Sequence, residues 1–374
     1  MDKSLVDVFS NISDHRVIGR TSYSLIEIIF LCISAILCGS DGWETIEEFG
    51  LAKLDWLRGY LPYKTGIPRH DTIARVIARI SPKAFERCFL QWVTAVQKQT
   101  AGEIVAIDGK TLRRSHDRKN RKSALHFVSA WACTNGIILG QQKTEEKSNE
   151  ITAIPKLLEL LAIKGCIITI DAMGCQLDIA DKIIQQNADY VLSLKGNQNG
   201  LFERVKEYLD DAIAQDFKGI KYSLAQENDK GHGRVENRKC YACELPKSLS
   251  GCTNLWSGLK SIACIEATRI IEGNQTRERR YFISSLAPEA EPIARAVRAH
   301  WQIEAMHWIL DVSFREDDSR IRRGYAAENF ALLRRLSMNL IKQASDNRDS
   351  VKKRRYRALL NDDYRDNLLM GQLF

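Results

Sequence analysis

A chain of 374 residues, 44% of them hydrophobic, is long enough to bury a sizeable core and to form more than one domain. Its net charge of +8 favours an anionic partner and says nothing about fold. Ten cysteines scattered singly through apolar stretches exclude a small disulfide-framed protein and read as reduced thiols; Cys240 and Cys243 have zinc-ligand spacing but no second pair to complete a site.

In chain order, Ser24 to Gly39 is apolar but short and carries Glu27, so it reads as a buried helix and not a membrane span. No other run approaches spanning length, which predicts a cytoplasmic protein with no membrane partner. Residues 1–97 read as a helical accessory domain for DNA binding, with Arg69 to Arg75 as a helix that could sit on DNA. From residue 98 the texture changes. Strands are expected at Ile104–Asp108, Ala124–Thr134 and Gly136–Lys143, the last two joined by an Asn135-Gly136 turn. Helices near 149–163 and 179–186 then alternate with strands ending at Asp171 and Leu194. That order predicts an α/β fold, a ribonuclease-H-like catalytic core over 98–345, interrupted by a β-rich insertion at about 203–280. A helix resumes near Pro292 and runs past Trp308, with Trp301 and Trp308 packing in the core. Residues 346–374 form a charged tail whose run Lys352 to Arg357 reads as a solvated face or a phosphate-binding arm.

Two aspartates close apolar strands, Asp108 and Asp171. A carboxylate at a buried strand end is costly unless it is paired or bound to a cation, although either could simply cap a turn. The expected third acid is Glu304, with Asp311, Glu316 and Asp317 competing for the role. On one helix His300, Glu304, His307 and Asp311 would share a face. Three such carboxylates suit two magnesium ions, with manganese able to substitute, for cutting and joining a phosphodiester backbone; Asp108 would bridge the ions. The basic run after Asp108, with Lys110, Arg113, Arg114, Arg118 and Lys119, could follow a DNA backbone, and Lys195 is a phosphate ligand by position.

The blocks Ile107-Asp108-Gly-Lys110, Asp171-Ala-Met-Gly-Cys-Gln176, Lys195-Gly-Asn-Gln198, Gly231-His-Gly-Arg234, His300-Trp-Gln-Ile-Glu304 to Asp311, and Ile321-Arg-Arg-Gly324 to Glu328 occur in order along nearly the whole chain. Together they resemble the H-repeat-associated proteins, DDE-type transposases of bacterial insertion sequences. The resemblance implies a ribonuclease-H-like fold, magnesium dependence, the triad Asp108, Asp171 and Glu304, and transposition. Its DNA partners would be element ends and target DNA, bound by a homodimer assembled on them, at the bacterial nucleoid. The chain departs from the wider group at Val297, His300 and Asp311, where Tyr, Arg and Lys are usual, and has Ala305 where the closer group has Asn; Arg298 and His300 are then the candidates for phosphate contact. A catalytically silent, host-retained DNA-binding relic and a structure-selective nuclease are the competing readings.

Overall fold

The computed structural model describes residues 5–17, 19, 21–97, 102–116, 123–145, 149–231, 234–249, 251, 254–344 and 348–370. Six helices come first: α1 (Leu5–Phe9), α2 (Leu25–Leu37), α3 (Trp43–Ala52), α4 (Leu54–Arg58), α5 (His70–Ile77) and α6 (Pro82–Val96). Among them α2 is buried along almost its whole length. Its start is fixed by a capping box in which Ser24 and Glu27 satisfy each other's backbone N–H groups. Glu27 also accepts from the backbone N–H of Tyr63 at 2.7 Å, so this buried carboxylate is occupied. Among the described residues no helix is long and apolar enough to cross a membrane.

Strands β1 (Ile104–Thr111), β2 (His126–Ala132) and β3 (Ile137–Lys143) form an antiparallel meander, turned at Gly136 with φ +66°. Helix α7 (Glu150–Leu160), β4 (Ile167–Ile170), α8 (Leu177–Gln185) and β5 (Asp189–Leu194) follow, and β4 lies parallel to both β1 and β5. This is a ribonuclease-H-like core. The chain then leaves through α9 (Asn199–Ala214) into β6 (Tyr222–Gly231), β7 (Arg234–Glu244), β8 (Ser261–Ile271) and β9 (Asn274–Ser284). Glu272 and Gly273, both with positive φ, make the two-residue turn between β8 and β9, whose twist suits a hairpin. Because β9 pairs with β5, these strands extend the core sheet into one of nine, ordered β3-β2-β1-β4-β5-β9-β8-β7-β6.

The remaining helices are α10 (Ala290–His300), α11 (Gln302–Phe314), α12 (Ala326–Gln343), α13 (Val351–Leu360) and α14 (Asp362–Met370). Helix α12 is buried along almost its whole length and packs against both α2 and β3, joining the N-terminal helices to the sheet. Three expectations need correction here. The single helix through residue 300 is two, broken at Trp301, so His300 ends α10 while Glu304 belongs to α11. Trp301 and Trp308 are 41% and 61% exposed, because Ile303, Met306, Leu310 and Phe314 supply the buried stripe of α11. The basic run near the C-terminus is not an arm, and it is solvated only in part, at Lys352 and Lys353. It forms α13, where Arg354 and Arg355 are buried. Arg355 donates to Ile36 O at the end of α2 and to Ser313 O, and lies over the Phe314 ring, since a guanidinium can satisfy helix-end carbonyls while its plane packs on an aromatic face.

Candidate active site

Parallel strands end on the same side of a sheet, and here that rim collects the site. Ile107 is level with Ile170, so Asp108 on β1 and Asp171 just past β4 are neighbours. Lys195, exposed, follows β5 on the same rim. Helix α11 packs on β1 and brings Glu304, exposed, toward the two aspartates. Burial pushes the Asp108 carboxyl up to about 7, and the negative charges of Glu150, Asp171 and Glu304 add to the shift. These four acids therefore share one neighbourhood.

Glu150, at the first position of α7, was missed in the sequence. Asn149-Glu150 reads only as a helix cap and a first-turn acid, and Asn149 does cap α7. What brings Glu150 in is Gly109: a Cβ there would lie 2.0 Å from Glu150 Oε1 and 2.6 Å from His126 Nε2. The lack of a side chain beside Asp108 makes room for a pair in which His126 Nε2 and Glu150 Oε1 are 2.8 Å apart. Thr111 Oγ1, 2.7 Å from His126 Nδ1, orients the ring from the other side.

Asp171 has a local role too, since Oδ1 accepts from the backbone N–H groups of Met173 and Gly174 at 3.0 and 3.3 Å. Its loop is tied to the segment after β5: Asn197 donates to Ala172 O at 2.6 Å and Gln198 to Cys175 O at 2.8 Å. Two motifs far apart in sequence thus interlock around one acid. On the Asp108 side, His307 Nδ1 lies 3.6 Å from Asp108 Oδ2. Burial, with the cations of Arg335 and Lys110 nearby, pushes the imidazole down to about 3, so this is contact with a neutral ring and not an ion pair.

The predicted phosphate contacts separate. Lys110 is buried, its Nζ 2.6 Å from Asp311 Oδ1 and 3.2 Å from Asp317 Oδ1; it ties β1 to α11. Arg113 and Arg114 are exposed and carry ion pairs to Asp317 and Asp318, both 3.3 Å. Arg118 and Lys119 lie outside the described residues. Arg298 is half exposed and reaches to 3.7 Å from Asp229 of β6. His300 is turned toward β4, with Nδ1 3.0 Å from Thr169 Oγ1, and burial lowers its pKa. Of the competing acids, Glu316 is fully buried and paired to Arg335 at 2.7 Å, away from the aspartates' shared charge.

Among the described residues, no three His, Cys, Asp or Glu side chains stand close enough to hold an ion as they are. The chemistry of the donor set nevertheless suits one. Carboxylate oxygens are the ligands magnesium prefers, and Asp108 with the three acids around it carries charge that Lys110, committed to Asp311 and Asp317, does not offset.

Comparison with known proteins decides the family. The family described as "Transposase DDE domain" matches residues 99–340, and "DDE_Tnp_1-associated" matches residues 6–93. The chain belongs to the DDE transposase family. It is 43% identical to "Putative transposase YncI" of Escherichia coli O157:H7, over 98% of this chain and 94% of that one. It is 40% identical to "H repeat-associated putative transposase YhhI" of Escherichia coli K12, over 99% and 98%. A shorter relative, "Inactive transposase YbfQ" of the same strain, is 42% identical over 21% of this chain and 92% of its own. Among solved structures, the piggyBac transposase synaptic complex with hairpin DNA aligns over 98% of this chain and 77% of that one, at 10% identity and a TM-score of 0.45.

Proposed function

We propose that this DDE transposase cuts the phosphodiester backbone at the ends of an insertion sequence and joins the freed 3′ hydroxyl to target DNA. It would work in the bacterial cytoplasm as a dimer assembled on two element ends, since transposition needs both ends held together. The observation that carries the reading is the gathering of Asp108, Asp171 and Glu304 from two adjacent strand ends and a helix, with burial and shared negative charge around Asp108.

Asp108, Asp171 and Glu304 would hold the magnesium, which supplies charge neutralisation at the phosphate and activation of the attacking oxygen. Lys110 holds α11 against β1, which keeps Glu304 facing the aspartates. Asn197 and Gln198 hold the loop that carries Asp171. Glu150, steadied by His126, sets a fourth negative group beside Asp108. Lys195 and Arg113 stand exposed at the rim, where a phosphate backbone would pass.

The test is magnesium-dependent cutting of a labelled duplex carrying the terminal repeat that flanks the gene. Cut and joined products are expected. Cutting without joining would make the protein a nuclease. Binding of the repeat without cutting would favour the catalytically silent form.

A further inference from the structure

The arginines after Asp108 belong to a wider surface assembled from segments far apart in the chain. The loop that leaves α11, residues 315–325, crosses toward β1, where Arg322 donates to Arg114 O through Nε at 3.0 Å and Nη2 at 2.9 Å. Its end seats on α5, where the backbone N–H of Tyr325 donates to Ala78 O at 3.0 Å. Gly324, at φ +54°, approaches so closely that a Cβ would meet Ala78 O at 2.5 Å. Arg75 and Arg79 at the end of α5, Arg114 beyond β1, and Arg320 and Arg323 of the loop thus belong to three segments that meet, and all five are exposed.

These cations differ in what they meet. Arg114 and Arg315 share Asp318, and Arg315 also reaches Asp41. Arg75, Arg79, Arg320 and Arg323 have no carboxylate partner among the described residues. A cavity of about 580 Å³ opens beside the loop, lined by Arg320 and Arg323 together with Trp43, Asp41, Glu44 and Asp318. Neighbouring cations not held in ion pairs repel one another, and a polyanion relieves that repulsion while releasing its own counterions.

We propose that Arg75, Arg79, Arg320 and Arg323 seat the phosphate backbone of duplex DNA next to the cut. The inference rests on the transposase reading above and adds where the flanking duplex lies. Arg114 is six residues beyond Asp108, a separation of at most about 22 Å. Duplex DNA rises 3.4 Å per base pair. The phosphates nearest Arg114 on this face are thus within about six base pairs of the one held at Asp108.

The experiment compares the wild-type chain with Arg320→Ala/Arg323→Ala and Arg75→Ala/Arg79→Ala. Each is titrated with the labelled terminal-repeat duplex across a salt series, with melting temperatures measured alongside. Because the side chains are exposed, melting should be unchanged, while each pair should flatten the slope of log affinity against log salt by about 1.8. Neutral methylphosphonates placed within about six base pairs of the cut should weaken wild-type binding, and should weaken binding by Arg320→Ala/Arg323→Ala less. Unchanged slopes and an unchanged response to the methylphosphonates overturn the proposal; a partner other than DNA, such as an acidic protein surface, would then be indicated. The two readings fail separately. Flattened slopes with no magnesium-dependent cutting by the wild type sink the transposase reading and leave the surface standing. Unchanged slopes with normal cutting do the reverse.

Discussion

The two ends of α11 treat charge in opposite ways. At its start, Glu304 joins Asp171 and Glu150 in raising the pKa of a largely buried Asp108. Toward its end, Asp311 pairs with Lys110 at 2.6 Å, and just beyond it Glu316 pairs with Arg335 at 2.7 Å with neither side chain exposed. A buried charge matched within the chain holds structure in place, whereas a group of like charges without a match is relieved by taking up a proton or by binding a cation from elsewhere. One helix therefore has a structural end and an end kept short of positive charge.

The strongest way to break this comparison is at the acids. Asp108→Asn, Asp171→Asn and Glu304→Gln keep side-chain volume and remove charge, so each should lower cutting of a labelled end by about a thousandfold or more while DNA binding persists. Normal cutting by both aspartate variants would remove the metal mechanism. At the opposite end, Glu316→Gln strands Arg335 in the core and should cost about 3–5 kcal/mol in urea unfolding, with the folded fraction still cutting. If instead Glu316→Gln abolished cutting without loss of stability, the third acid would have to be reassigned.

Smaller effects sharpen the contrast. Magnesium at a hundredfold excess over its dissociation constant should stabilise the wild-type chain by about 2.7 kcal/mol and should not stabilise Asp108→Asn, a difference readable in thermal melting without any DNA. Equal shifts in both would place the ion away from Asp108. Lys110→Met leaves Asp311 and Asp317 without their shared cation, and a loss of about 2 kcal/mol is expected. The salt dependence of DNA binding should be unaltered, because Lys110 faces carboxylates; a flatter slope would return it to the phosphate backbone.

Much of this was readable in the sequence. The apolar runs before Asp108 and Asp171, and the Asn135-Gly136 turn, place the strands because local periodicity and turn chemistry act over a few residues. The buried α2 was legible for the same reason, being apolar along its length with a single acid at its capped start. The break at Trp301 was not. Residues 300, 304, 307 and 311 keep helical spacing across it, and the break is visible only in the structure. Glu150 was hidden because its role depends on the empty space at Gly109, 41 residues away in sequence yet adjacent in the fold. The C-terminal arginines were misread because composition counts charge without knowing which carbonyls and rings will meet it.

The sequence by itself determined the strand ends that bear aspartates, the alternation that builds the core, and the ordered blocks that resemble a transposase family. Tertiary structure decided which charges are matched. Lys110 and Arg113 are three residues apart in one basic run, yet one is buried between Asp311 and Asp317 and the other stands in solvent. A charge acquires its function from the dielectric and partners around it, and for Lys110 one of those partners, Asp317, is brought from 207 positions away only when the sheet and α11 have packed.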